Sequence, residues 1–416
     1  MRILVFGGSG RIGRAVAWDL ARDPEVTEIG IVGNEPTPLE EARSWLGSAK
    51  ISTHLLDVDD RAAVLALARG WDAGVLTLPH RHASYKMIEQ AIEAGLSVVD
   101  VLEEYHRCPD VYEIEGLDLP PGMTLQEFGE KLHHDAVARG VTILDGMGLA
   151  PGLTNVTVGE GIRELDVAEE AVARVGGIPE KSAAARHPLR YMMTWSFDHV
   201  LREYVIRVNV KKNGEVVEVE AGTDRETFRF HALGHDEQLE CAVTPGMPSF
   251  IYTRPQLRTF AEKTVRWPGH WSGVEVLKEC GLLGLDPVAV DGAEVVPRHL
   301  LYNLLVPKLK PNPGETDVCV MYNTVRGRRD GRRVQIDYYM WEQGNPELGL
   351  SAMMRTTSLP AAIAVRLLAK GKVLGAGIVA PEDGIAGPVY REFLDELAKR
   401  NVRIEQTTTV LETETP

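Results

Sequence analysis

The chain has 416 residues, 44% of them hydrophobic and 25% charged, with a formal net charge of −15. That length predicts two or three domains with a sizeable core. The acidic balance argues against nucleic acid and anionic membrane as partners, because both need a basic surface.

The first apolar run is a short strand rather than a secretory leader, and no segment nears the ~20 apolar residues that span a bilayer. The four cysteines, Cys108, Cys241, Cys280 and Cys319, are scattered without a CxxC pair. They read as reduced thiols of a cytoplasmic protein, not as zinc ligands or a disulfide frame.

In chain order, a buried-type strand at Arg2–Phe6 runs into Gly7-Gly-Ser-Gly-Arg-Ile-Gly13. A helical pattern follows, with Ile12, Val16 and Leu20 on one stripe. In this strand–turn–helix context Gly8-x-Gly10-x-x-Gly13 is a dinucleotide fingerprint. Gly8 is expected to make the tight turn, Gly10 to let backbone amides reach a pyrophosphate, and Gly13 to seat helix on strand. Arg11 and Ile12 open the helix whose N-terminus faces the phosphates.

Further strands are expected at Glu28–Val32, Ile51–Leu56, Gly74–Leu78 and Ser97–Val101, with a helix over Ser84–Ala94. Alternating strands and helices mean a doubly wound parallel sheet, and ligands sit beyond the carboxyl ends of its strands. Those ends are Gly7–Gly10, Gly33-Asn34, Asp57, Leu78-Pro79-His80 and Asp100. At the second end, Asn34 or Glu35 can hold a ribose hydroxyl. Equally, Gly33 can leave room for a 2′-phosphate partnered by Arg11 or Arg43. The cofactor is therefore NAD or NADP.

Cys108–Thr124 reads as a loop excursion, followed by a helix at Leu125–Arg139 and a strand at Val141–Leu144. From about Glu169 the texture becomes antiparallel. Hairpins are expected around Asn213-Gly214 and Asp330-Gly331. Helices at Leu359–Ala369 and Pro388–Arg400 and a strand at Val402–Glu405 are expected to pack back on the first domain. The fold class is α/β: a Rossmann-type doubly wound parallel sheet plus a second α+β domain with a mixed, largely antiparallel sheet. The domains are 1–150, completed by 355–416, and 151–354. His133-His134 point apart on a helix and lack a third ligand, so no metal site is expected. No Gly-x-Ser-x-Gly elbow or P-loop lysine is present.

Several motifs together resemble the saccharopine dehydrogenase family, and within it most nearly the L-lysine 6-dehydrogenases. They are Gly8–Gly13, Gly148-Leu-Ala-Pro-Gly152, Gly176-Gly-Ile-Pro179, Thr194-Trp-Ser196, Arg266-Trp-Pro-Gly-His270, Met354-Arg-Thr-Thr357 and Pro381-Glu382. The resemblance implies a small amino-acid substrate and a second domain that supplies substrate contacts and the interface of a homodimer or larger homo-oligomer. It also implies a carboxylate-binding arginine at Arg254, within Tyr252-Thr-Arg254, and a substrate contact at His270. Leu78-Pro79-His80 becomes the loop that approaches nicotinamide and substrate, with Asp100 close by. The stretch Glu103–Phe128 is longer than the family pattern and reads as a lid able to change the substrate.

The implied reaction is oxidative deamination of an ε-amine to a semialdehyde that cyclises. The ammonium must first lose a proton, which calls for a base near neutral pKa. His80 is the first candidate, against a plain solvent-exposed loop histidine. Asp100 either orients that histidine, binds the amine, or caps a turn. A planar guanidinium suits Arg254 to a carboxylate, against a structural salt bridge. His270 binds substrate or caps a helix. Trp195 and Arg355 are pocket candidates with equally good structural roles. A saccharopine- or opine-type imine reductase and a non-catalytic NAD(P)-binding sensor stand as the alternatives.

Overall fold

The computed structural model describes residues 1–109, 117 and 119–411. The first strands and helices are β1 (Arg2–Phe6), α1 (Arg11–Arg22), β2 (Glu28–Gly33), α2 (Pro36–Leu46), β3 (Ile51–Leu55) and α3 (Arg61–Ala68). Next come β4 (Ala73–Leu76), α4 (Arg81–Ala94), β5 (Val98–Asp100), α5 (Leu125–Arg139), β6 (Thr142–Leu144) and α6 (Leu153–Arg163). The later strands are β7 (Val167–Pro179), β8 (Arg207–Lys212), β9 (Glu215–Glu220), β10 (Glu226–Ala232), β11 (His235–Val243) and β12 (Thr259–Arg266). The chain closes with β13 (Val288–Val290), β14 (Ala293–Val295), β15 (Asp317–Arg329), β16 (Arg332–Gln343), β17 (Gly377–Val379) and β18 (Glu405–Val410).

Two compact units emerge. The first contains Met1–Glu160, Met247–Arg254 and Met354–Val402; the second contains Gly161–Gly246, Pro255–Met353 and the residues from Arg403 onward.

The first unit holds a seven-stranded sheet in the order β17-β6-β5-β4-β1-β2-β3. Every pairing in it is parallel. β1 buries Ile3, Leu4, Val5 and Phe6 completely, as a strand covered on both faces must. α1 buries Ala15, Val16, Ala17 and Leu20 along one side. α5 starts where the sequence places it, because Thr124 and Glu127 form a reciprocal capping box. The excursion expected at 103–128 lies partly outside the described residues, and so does its role as a lid.

The second unit is built on a nine-stranded mixed sheet, with β10-β11-β12-β7-β15-β16-β18 in order and β8 and β9 attached through β12. β12 runs parallel to β7, and the other pairings are antiparallel. Both expected hairpins are present. Asn213 and Gly214 have φ of 53° and 90°, and Asp330 and Gly331 have φ of 53° and 72°. Two successive positive φ values match the right-handed twist of the flanking strands. The sheet rolls up: Phe230 on β10 meets Trp341 on β16 at 5.2 Å between ring centroids, and Phe228 meets Tyr322 on β15 at 5.6 Å.

The tail departs from the expectation for 355–416. Met354–Val402 goes with the first unit, including β17 at its sheet edge. The last strand is Glu405–Val410, not Val402–Glu405, and it pairs with β16 in the second sheet. Its threonines supply an alternating β pattern that fits an open antiparallel edge. Among the described residues no helix is long and apolar enough to cross a membrane.

Candidate cofactor and active site

The glycine turn joins β1 to α1. The left-handed residue is Gly7, with φ of 76°, one position before the expected Gly8. Gly13 meets the turn most closely: a Cβ there would lie 2.3 Å from the Gly7 carbonyl oxygen. Thr77, just past β4, donates from its hydroxyl to the Phe6 carbonyl at 2.8 Å and braces the same turn. α1 begins on Gly10 with no side-chain cap, so its first amides stay available to a ligand. These residues fit a dinucleotide pyrophosphate: the backbone is bare, tightly packed and carries the positive end of a helix dipole.

The residues expected to meet the cofactor follow the carboxyl ends of β1, β2, β3 and β4. Gly8 is buried, Ile12 half-buried, and Gly10, Arg11, Asn34 and Asp57 exposed. Leu78 is half-buried and Pro79 exposed, in the loop leading to α4.

His80 is exposed and is the N-cap residue of α4, without a side-chain capping bond. Asp100 lies at the carboxyl end of β5 and is 1% exposed. It is not joined to His80 by hydrogen bond. Instead Asp100 accepts from the Ser84 hydroxyl and from the Leu102 amide, the latter at 3.1 Å. Ser84 Oγ lies 3.1 Å from His106 Nε2, and His106 Nδ1 lies 2.7 Å from Asp145 Oδ1. The His106 amide donates to Asp145 Oδ2 at 2.8 Å.

A second pair stands alongside: Arg81 donates twice to Glu104, at 2.6 Å each, and Tyr85 donates to Glu104 at 3.2 Å. The Tyr85 and His106 rings lie 4.3 Å apart.

The contact order Ser84–His106–Asp145 matches that of an acyl-transfer relay, but all three are sealed from solvent. Ser84 spends its proton on Asp100, so no nucleophile is presented. Asp100, His106 and Asp145 also bring ligand atoms within 4.8 Å of one another. Both ring nitrogens of His106 are already engaged, so the cluster is closed by hydrogen bonds rather than open to a cation. Burial disfavours an imidazolium at His106, yet Asp145, Glu104 and Asp100 outweigh it and hold its pKa above the usual range. Burial pushes the Asp100 carboxyl up as well. The chain from Asp100 to Asp145 therefore keeps a proton.

Arg254, expected to meet a substrate carboxylate, is otherwise occupied. It is 7% exposed, pairs with Asp383 at 2.9 Å, and donates to the backbone oxygens of Glu382 at 3.1 Å and Thr253 at 2.8 Å. Glu382 is fully buried and accepts from Asn155 at 2.9 Å and Ser249 at 2.8 Å, and from Thr253 at 2.5 Å. This cluster ties α6, the Met247–Arg254 segment and the Pro381–Gly384 turn together within the first unit.

In the second unit His270 begins the helix His270–Glu279 and is 1% exposed. Its Nδ1 lies 2.8 Å from the Leu189 carbonyl, which can only accept, so Nδ1 carries the proton. Nε2 then accepts from the Tyr204 hydroxyl at 2.8 Å. Arg266 donates to the same Tyr204 oxygen at 3.2 Å. Burial, and then the Arg266 charge, push the His270 pKa down to about 3, so the ring is neutral.

Arg266 itself is 2% exposed. Its other partners are the Gly177 and Val265 carbonyls, and it faces the Tyr191 ring at 5.0 Å. Among the described residues no carboxylate lies at salt-bridge distance from it, and the buried Glu203 charge adds to its field.

Ser84, His106 and Asp145 escaped the sequence reading. Asp145 follows β6 as Asp100 follows β5, a signal in strand-end position. His106 sits inside the stretch read as a lid. The burial of Arg266 has no sequence signature.

An all-parallel sheet with a glycine turn and a bare helix N-terminus defines a nicotinamide-dinucleotide domain, for NAD or NADP. Residues 3–144 match the family model of the saccharopine dehydrogenase NADP binding domain, and residues 148–402 match the saccharopine dehydrogenase C-terminal domain. The chain belongs to the saccharopine dehydrogenase family. It is 24% identical to the mitochondrial alpha-aminoadipic semialdehyde synthase of Bos taurus, across 95% of this chain and 47% of that protein. The chain thus spans about half the length of that curated relative. It is 22% identical to the carboxyaminopropylagmatine dehydrogenase of Synechocystis, across 90% of this chain and 91% of the relative. The fold matches apo saccharopine dehydrogenase (L-Glu forming) from Saccharomyces cerevisiae, with a TM-score of 0.77, 19% identity, and coverage of 98% and 100% of the two chains.

Proposed function

We propose that the protein is an NAD(P)-dependent oxidoreductase acting on a C–N bond of an amino acid, in the manner of a lysine 6-dehydrogenase. The observation that carries this reading is the Gly7–Gly13 cradle in a parallel sheet, within a chain that matches both domains of the family. A bound nicotinamide supplies the electron-pair acceptor for the carbon bearing the amine.

The chain's residues supply the rest. In the first unit, exposed His80 stands at the end of the β4 loop and takes the ammonium proton, since only a free amine can give an iminium. In the second, Arg266 holds a buried guanidinium against the Tyr204 hydroxyl and the Gly177 and Val265 carbonyls. Neutral His270 orients the Tyr204 hydroxyl beneath that guanidinium. Arg254, engaged with Asp383 and Glu382, serves the fold of the first unit instead.

The test is lysine with NAD⁺ or NADP⁺, followed by the appearance of reduced nicotinamide and of ammonia in equal amounts. Absence of both products with lysine and with other ω-amino acids overturns the reading. A second reading, imine reduction joining an amine to a carbonyl compound, is favoured by the relative that aligns almost end to end, the carboxyaminopropylagmatine dehydrogenase. Oxidation of NADPH or NADH by keto acid plus amine, without deamination of lysine, selects it.

A further inference from the structure

We infer that the ribose end of the dinucleotide site selects NAD over NADP, with Glu35 as the residue that takes the adenosine ribose diol. This rests on the cofactor-dependent reading above. A 2′-phosphate brings about two negative charges and needs cations or free amides, whereas a diol needs acceptors.

The carboxyl end of β2 offers the second and lacks the first. A Cβ at Gly33 would lie 2.9 Å from Ser9 Oγ, so Ser9 fills the space beside the last strand residue. The next side chains are Asn34 and Glu35, both exposed. Glu35 is the N-cap residue of α2 but makes no capping bond with its own helix. Among the described residues no cation pairs with it. Its carboxylate is free to accept.

The N-terminus of α2, where a phosphate could otherwise collect amide donors, opens Pro36-Thr37-Pro38. Proline has no N–H, so two donors are gone. Glu40 and Glu41 follow, and Asp57 stands exposed at the end of the neighbouring β3.

The arginines near this end already stand beside other groups. Arg43 lies 3.6 Å from Glu40. The Arg14 guanidinium covers the Trp45 ring at 5.3 Å. Arg11 is directed at Met354 Sδ, 3.8 Å away. A bound 2′-phosphate would meet carboxylates rather than guanidinium groups.

The test is a titration of the intact protein with NADH and with NADPH, read by nicotinamide fluorescence, which needs no substrate. NADH should bind at least about tenfold more tightly than NADPH. Glu35→Gln should weaken NADH several-fold. Glu35→Arg, at an exposed position that the fold does not use, should shift the ratio toward NADPH by about tenfold or more. Equal or tighter NADPH binding by the unsubstituted protein, or an unchanged ratio in Glu35→Arg, overturns this inference while leaving the oxidoreductase reading intact. Failure of either dinucleotide to bind overturns both.

Discussion

His106 meets both carboxylate oxygens of Asp145, one with its ring nitrogen at 2.7 Å and the other with its backbone amide at 2.8 Å. One acid thus fixes both the side chain and the course of the backbone that follows β5. Removing that charge leaves a sealed imidazolium without its counterion. Asp145→Asn should destabilise the first unit by about 3 kcal/mol or more, as broken buried pairs do. A double-mutant cycle with His106→Gln, read by urea unfolding, should return a coupling of more than about 1 kcal/mol. Additive effects would show that the pair does not act as a unit.

Glu382 makes the corresponding junction among α6, the Met247–Arg254 segment and the Pro381–Gly384 turn. Three donors, from Asn155, Ser249 and Thr253, converge on its buried carboxylate. Glu382→Gln keeps the shape but turns one acceptor oxygen into a donor facing other donors. A loss of about 2–3 kcal/mol is expected in urea unfolding, with Thr253→Val costing less because it takes away one of the three donors and leaves the carboxylate ionised. Equal losses in the two variants would count against the shared-acceptor account.

Two of the buried histidines, His106 and His270, give opposite pH limbs. The folded pKa of His106 is raised. Its pairing is fully present below the unfolded value of about 6.5 and is lost as pH rises through the folded pKa. Asp100, whose pKa is also raised, adds loss in the same direction as pH climbs. His270 is held down to about 3. Between about 6.5 and that value the unfolded chain binds a proton that the folded chain refuses, so stability falls with acid. Thermal melts across pH should show the acid limb flattened in His270→Phe and the alkaline limb flattened in His106→Asn. An acid limb unchanged by His270→Phe would refute the assignment.

Arg254, paired with Asp383 and the Glu382 backbone, should behave as a structural arginine in steady-state kinetics. Arg254→Gln is expected to lower the melting temperature and leave KM for the amino acid near its starting value. A KM raised about tenfold or more with an unchanged melting temperature would return the carboxylate role to Arg254.

Much of the first unit was legible because its signals are local. The Arg2–Phe6 run, the glycine turn and the Thr124 cap each reveal themselves within a few residues. The Asn213-Gly214 and Asp330-Gly331 turns did the same for the second sheet. Long-range partnerships were not legible. Nothing near Asp145 announces His106, 39 residues earlier. Asp383 takes Arg254 across a gap of 129 positions, which no local pattern encodes. The Val402–Glu405 strand slid toward Val410 because short edge strands are set by their neighbour, here β16, more than by their own composition.

That last strand has a consequence for how the molecule is made. β16 waits for β18 through a stretch of chain that is laid into the other unit first. During synthesis its outer row of amides and carbonyls stays uncovered until residue 410 leaves the ribosome. A nascent chain arrested between 344 and 404 would leave the six-residue margin Val334–Tyr339 bare, ready to capture a like strand from a neighbouring polysome.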